Sequence, residues 1–408
     1  MTEDVRRSGT PTMPAAYRGN RLIQAFISAL KRLAAGSLTL IMPDGSAYNL
    51  SGNAPGPHAV IKIHRWRALR SLLTRGDIGF VETYMEGDWE SPELADVIEL
   101  AALNTETWRL SKLQGVAYRL FNRVAHLLRD NSKSGSRRNI AAHYDLGNDF
   151  YRQWLDPTMT YSSAVFDRPD QSLSDGQIEK YRRIAAMLDL KPEHHVLEVG
   201  FGWGGFAEFA VKTYGCRLTG LTLSTEQLTF ARDRLQRQGL GDKVDLRLQD
   251  YRDVTGTFDR VASIEMFEAV GEPHWPRYFD MIRERLVRGG TAALQIITIA
   301  ENRFEQYRRS ADFIQRHIFP GGMLPSVEAL RRSVDRAKLQ VADAAMFGES
   351  YARTLHQWRD RFLRAWGTIE PLGFDERFRR MWEMYLAYCE GGFRARAINV
   401  GQFKLVRP

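Results

Sequence analysis

The 408 residues are 44% hydrophobic and 26% charged, ordinary for a soluble globular protein and enough for two or three domains. No run of about 18 apolar residues is present, which argues against a spanning helix, and Met1 to Asn20 carries no apolar signal-peptide core. The formal net charge of +8 favours anionic partners such as nucleic acid, acidic lipid headgroups or acidic substrates. Cys216 and Cys389 are too few for a disulfide scaffold and read as packing residues in a reducing cytosol. The histidines lack metal-ligand spacing, so no metal site is expected.

Residues 1–20 read as a disordered arm, and Arg21 to Ala35 has helical periodicity. Leu38 to Ile41, the turn Pro43-Asp44-Gly45 and Tyr48 to Leu50 predict a β-hairpin. A strand over Ala59 to Ile63, a helix over Trp66 to Thr74, and the segments Gly76 to Trp89 and Leu94 to Leu103 complete a small α+β domain over 21–130. Its last part, Thr107 to Arg129, is an amphipathic helix ringed by Arg109, Lys112, Arg119, Arg123 and Arg129, followed by a polar, basic linker over 131–139. That pairing has the form of a membrane-surface contact, with an interdomain helix as the plainer alternative.

From 140 to 408, apolar runs alternate with helical stretches. Strands are predicted at Val196 to Val199, Arg217 to Leu223, Val244 to Leu248, Phe258 to Ile264 and Thr291 to Ile299, with helices starting near Gly205, Ser224 and Trp275. The alternation implies a largely parallel sheet covered by helices on both faces. The tail from Ser326 reads as further helices and a last strand, Ala397 to Val406.

A ligand of such a sheet lies at the carboxyl ends of its strands. There the first strand runs into Glu198-Val199-Gly200-Phe201-Gly202-Trp203-Gly204, an acid followed by a tight glycine turn and a helix N-terminus. The spacing is G-x-G-x-G, unlike the dinucleotide fingerprint, and no phosphate-loop lysine follows. The strand-end acid suits an amino or hydroxyl group better than a pyrophosphate. These features favour S-adenosylmethionine over another nucleotide or purely structural glycines. The second strand ends in Thr222-Leu223, with Ser224 and Gln227 spaced as a capping box that also suits a ribose. After the third strand, Asp250 and Tyr251 offer an acid and a ring for an adenine edge and face. Ile264-Glu265-Met266-Phe267-Glu268 follows the fourth strand in place of the Asn-Pro-Pro-Tyr-like motif of nucleic-acid methyltransferases, which argues against a nucleic-acid substrate.

Six motifs then resemble, in order, the cyclopropane fatty acid synthase family: Ala142 to Tyr151, Met159 to Ala164, the glycine turn, Met266 to Gly271, Ile318 to Ser326 and Gly391 to Arg396. The resemblance implies a Rossmann-type class I methyltransferase sheet with added helices and an acyl-chain pocket, preceded by a small N-terminal domain. It implies methyl transfer from S-adenosylmethionine to a cis double bond in the acyl chain of a membrane phospholipid, with proton loss to a bound bicarbonate and ring closure. Tyr161, Ser162, Gly200, Gly202, Thr222, Gln227, Asp250 and Tyr251 match the family's cofactor positions, beside Glu198, Gly204 and Leu223 from the same segments. Glu268, Tyr351 and the Ile297 backbone match positions around the bicarbonate.

The chain departs from that pattern at Ser163, where bacterial synthases have Cys, and at Ala269 and Gln295, where they have His. Ser163 and Gln295 still offer hydrogen bonds to an anion. Members of the wider family make methylene or methyl-branched chains, sometimes with a flavoprotein reductase, and a non-catalytic lipid-binding protein is the competing class. The resemblance further suggests a homodimer and a peripheral position on the inner membrane surface, where the stretch from Arg303 to Arg316 would meet anionic headgroups.

Overall fold

A computed structural model describes residues 26–28, 30–108, 146–309 and 311–408, which fall into two compact units. The expected arm over 1–20, most of the basic helix ending at Arg129, the linker 131–139 and the first residues of the Ala142 motif lie outside the described residues.

The first unit is built on a four-stranded sheet in the order β2-β1-β3-β4. β1 (Ala35–Ile41) and β2 (Ala47–Ser51) form the predicted antiparallel hairpin, closed where the Met42 amide donates to the Ser46 carbonyl. β3 (Ala54–Ile63) begins five residues before the expected strand and pairs parallel to β1, and β4 is Trp89–Glu90. The helix expected to stop at Thr74 continues as α1 (Arg67–Met85), broken at Gly76, whose φ of 67° only glycine adopts readily. α2 (Leu94–Leu103) follows it.

The second unit is a seven-stranded sheet in the order β10-β11-β9-β8-β5-β6-β7. It opens with α3 (Asn148–Trp154) and α4 (Leu173–Leu188). Then β5 (His195–Val199), α5 (Gly205–Tyr214), β6 (Arg217–Thr222), α6 (Thr225–Arg237), β7 (Val244–Leu248) and β8 (Phe258–Ile264) alternate as predicted. α7 (Trp275–Arg285) leads to β9 (Leu286–Ile299), which starts five residues before the expected strand. β5 pairs in parallel with both β6 and β8, and β8 with β9, which gives the reversal of strand order that opens a crevice at the carboxyl ends.

After α8 (Glu301–Tyr307), α9 (Phe313–His317) and α10 (Val327–Arg336) comes β10 (Gln340–Met346), a strand the sequence reading missed. It is an edge strand with no buried residue, so its sequence lacks the alternation that marks a half-buried strand. α11 (Gly348–Arg364) and α12 (Glu376–Arg394) pack together, and β11 (Ile398–Val406) runs antiparallel to β9, placing Gln402 opposite Gln295. Two apolar clusters fill the sheet's faces, one around Phe267, Tyr278 and Ile282, the other around Ile184, Phe206 and Leu218. Each large apolar side chain buried there contributes about 1.5–3 kcal/mol, which fixes the strand ends that carry the site.

Candidate active site

The glycine turn leaves β5 with its three glycines at φ of 85°, 55° and 81°, all left-handed. The Gly200 and Phe201 amides both donate to the Leu221 carbonyl, tying the turn to β6. A side chain at Gly202 would meet nothing within 4 Å, so the turn is open there, whereas one at Gly204 would approach Ala231 on α6 at 3.0 Å. Gly204 thus has a packing reason to be glycine. Glu198 is buried, and its Oε2 has no hydrogen-bond partner among the described residues. Burial pushes its carboxyl up to about 8, against the opposing field of Lys180.

At the end of β6, the Thr222 hydroxyl donates to Gln227 Oε1 at 2.8 Å, and Ser224 Oγ accepts from the Gln227 amide at 3.2 Å. Ser224 therefore caps α6, while the Gln227 side chain turns to Thr222; Leu223 between them is half-buried. Asp250 is held by Arg252 through two side-chain hydrogen bonds of 2.8 and 2.7 Å. The Tyr251 ring rests edge-on against Tyr278, and burial pushes its phenol up to about 12.

Across the β5–β8 boundary lies a group of buried hydrogen bonds centred on Glu265, the residue that follows β8. Its Oε1 accepts from the Ser163 amide at 2.8 Å and from Gln295 Nε2 at 2.7 Å; its Oε2 accepts from the Tyr351 hydroxyl at 2.5 Å. The Ser163 hydroxyl points elsewhere, donating to the Ala164 carbonyl, so Ser163 contributes its backbone rather than its side chain. Gln295 is oriented in turn by Gln402, whose Nε2 donates to Gln295 Oε1 at 3.0 Å. Glu265 has a φ of 50°, a left-handed conformation that costs a non-glycine residue about 1–2 kcal/mol.

Three residues on, Glu268 Oε1 accepts from the Ile297 amide at 2.6 Å, while its Oε2 is buried with no partner among the described residues. Desolvation, and then the charge of Glu265, push the Glu268 carboxyl up to about 8. Lys180, on the buried face of α4, donates to Ser162 Oγ and to Gln177 Oε1, each at 2.6 Å. Burial lowers its ammonium to about 7 against the fields of Glu265, Asp156 and Glu198. The Tyr161 hydroxyl shares a 2.7 Å hydrogen bond with that of Tyr385, and its ring lies among Tyr151, Trp154 and Trp358.

Five residues singled out from the sequence around the reacting centre, Ser163, Glu268, Gln295, Ile297 and Tyr351, thus meet around two carboxylates. Glu265, Lys180 and Gln402 were not singled out. Lys180 had a legible signal, since it shares the Leu173, Gln177, Ile184 face of an amphipathic helix. Glu265 had a weaker one, an acid directly at a strand's carboxyl end.

The sheet order, the glycine turn and the carboxylates at the strand ends define a class I S-adenosylmethionine-dependent methyltransferase. Residues 131–403 match the family model for mycolic acid cyclopropane synthetase, and the chain belongs to that family. It is 40% identical to the tuberculostearic acid methyltransferase of Mycobacterium tuberculosis over 390 residues, 91% of this chain and 88% of that protein. It is 35% identical to the cyclopropane-fatty-acyl-phospholipid synthase of Escherichia coli over 360 residues, 86% of this chain and 88% of that one. A solved mycolic acid cyclopropane synthase, in complex with SAH and CTAB, superposes with a TM-score of 0.62 at 31% identity, covering 66% of this chain and 97% of its own. This chain is accordingly an S-adenosylmethionine-dependent methyltransferase of lipids.

Proposed function

We propose that the enzyme methylates the cis double bond of an unsaturated acyl chain in a membrane phospholipid and closes a cyclopropane ring. The observation that carries this reading is Glu268 Oε2, a buried acceptor with no partner at the reacting end of the crevice. Such an atom suits a positive charge that exists only during the reaction. A cation brought beside Glu268 lowers its pKa and favours the ionised form.

S-adenosylmethionine fits the crevice. The unpartnered Glu198 Oε2 suits its ammonium or hydroxyl groups, and the open face at Gly202 allows close approach to the backbone. Thr222, Gln227, Asp250 and Tyr251 would hold the nucleoside, and Tyr161 and Ser162 the amino-acid end and sulfonium. When bound, the cofactor supplies an electrophilic methyl group. An alkene is a weak nucleophile, so the protein's contribution is alignment in a site that excludes water. The aromatic group of Tyr151, Trp154, Tyr161 and Trp358 provides rigid walls that hold that alignment.

A second reading, a methylene or methyl-branched product, is favoured by the 40% identity to a tuberculostearic acid methyltransferase; a flavoprotein reductase would then complete the saturated branch. Lipids from cells expressing the protein on methyl-labelled methionine test both readings by gas chromatography and mass spectrometry. A gain of one methylene unit that resists mild hydrogenation supports the ring, and one that takes up hydrogen without ring opening supports the methylene. Absence of label from acyl chains removes both.

The positive field would bring the enzyme to anionic headgroups. Arg308 is paired with Glu272 and Glu305, and Arg309 with Glu305, so that stretch contributes less net charge than its sequence suggests.

A further inference from the structure

We propose that Glu265 supplies, from the chain itself, the proton-accepting carboxylate that the family resemblance assigns to a bound bicarbonate. The proposal rests on the acyl-chain methylation just described and concerns which group takes the proton. The donors expected around bicarbonate were Ser163, Gln295, Tyr351 and the Ile297 amide. Three of them converge on the two oxygens of Glu265, and the fourth is taken by Glu268. Bicarbonate and a carboxylate present the same planar pair of oxygens, so the donor set serves one or the other. Here all four donors are already engaged by Glu265 and Glu268.

Two further observations point the same way. All three groups facing Glu265 donate, and Gln295 is held with its amide nitrogen toward Glu265 because Gln402 donates to its oxygen. Those hydrogen bonds favour the ionised form, opposing the burial that pushes the Glu265 carboxyl above its ordinary range. The backbone at Glu265 is also in a conformation suited to glycine, and it is locked there by its amide donating to the Gln295 carbonyl at 2.9 Å. A strained backbone that delivers a carboxylate to the reacting end of a sheet is strain in the service of a site.

The chemistry balances without a further reactant. The double bond's π pair forms the new carbon–carbon bond to the transferred methyl, the carbon–sulfur bond breaks with its pair left on the departing thioether, and a cation remains on the chain. A C–H bond of the added methyl then breaks. Its electron pair closes the ring, and its proton passes to Glu265, which returns it to water as product leaves. If a hydride shift along the chain precedes this loss, the same pair forms a methylene double bond, and Glu265 plays the same part.

The test follows label from methyl-labelled S-adenosylmethionine into vesicles of cis-unsaturated phospholipid, using the full chain. Wild-type enzyme in buffer freed of carbon dioxide is expected to label lipid as fast as with added bicarbonate. Glu265→Gln is expected to lose about a hundredfold or more in rate while still binding SAH by calorimetry. Glu265→Gly, which the left-handed backbone accepts, frees the three donors and is expected to become dependent on added bicarbonate. A wild-type rate that collapses without bicarbonate, or a Glu265→Gln variant of near-normal rate, overturns the assignment and leaves lipid methylation standing. Absence of label from lipid in the wild type overturns the methylation reading itself, and this assignment with it.

Discussion

Glu268 Oε1 and the Ile297 amide lie 2.6 Å apart, joining the turn after β8 to the neighbouring strand β9. The other oxygen, Oε2, is buried and has no hydrogen-bond partner among the described residues. Glu268→Gln keeps the shape and an acceptor for Ile297 but loses the negative charge. The rate of lipid methylation is expected to fall about a hundredfold or more, with SAH affinity unchanged by calorimetry. A rate within reach of wild type would mean that the bare oxygen plays no part in the chemistry.

Tyr351 tests the geometry around Glu265 without removing a carboxylate. Its ring packs 4.6 Å from that of Phe393 and its hydroxyl is a donor to Glu265. In Tyr351→Phe the packing survives and one hydrogen bond to a charged group is lost, worth about 1.5–3 kcal/mol. The melting temperature should fall by a few degrees, because a buried donor to Glu265 is lost while the ring packing stays. Turnover should fall by about tenfold to a hundredfold with the lipid KM unchanged, the pattern of a residue that acts through Glu265. A loss of stability with normal turnover would make Tyr351 an ordinary core residue.

These two residues also show how far sequence carries. Glu268 was legible because it sits in the Met266 to Gly271 motif, whereas Tyr351 and the Ile297 backbone lie outside the six motifs and were reached only through the family resemblance. Strands β5, β6 and β8 were legible because burial on both faces leaves short apolar runs bounded by turns, and the edge strand β7 because Val244, Leu246 and Leu248 alternate with Asp245 and Arg247. Glu265 was passed over because its meaning lies in contacts with Ser163, Gln295 and Tyr351, which stand 102, 30 and 86 residues away. No local spacing encodes such a convergence. The same holds for Gln402, which reaches Gln295 only because β11 returns antiparallel beside β9. The side chain of Ser163 was singled out, yet its amide is the group that meets Glu265, since sequence reports the residue and not which of its atoms faces a neighbour.

Lys180 is the buried cation of the group, with its ammonium donating to Ser162 and Gln177 rather than to a carboxylate. Lys180→Met is close in length and removes the donor. Ser162 then loses its partner and the Glu198 and Glu265 carboxyls lose a stabilising field, so both are expected to rise further in pKa. The rate profile should shift its rising limb to higher pH, while SAH affinity weakens through Glu198. A profile superimposable on wild type would show that Lys180 is electrostatically silent.

Stability against pH gives an independent check of burial, because the carboxyls and the lysine act with opposite sign. Burial raises Glu198 from 4.5 to about 8, so between those values the folded protein holds a proton that the unfolded chain has released. Stability therefore falls as pH rises through that window. Glu268, raised to about 8, acts in the same direction. Lys180 is lowered from 10.5 to about 7, so above 7 the unfolded chain holds the extra proton and stability gains with rising pH. Urea unfolding of the ligand-free enzyme is expected to show a decline toward pH 8 that is shallower, though not absent, in Glu198→Gln, because Glu268 remains. In Lys180→Met the compensating gain above pH 7 should vanish. An unaltered slope in Glu198→Gln would mean that solvent reaches the end of β5, and that the unpartnered oxygen beside the glycine turn is not held in reserve for a cation.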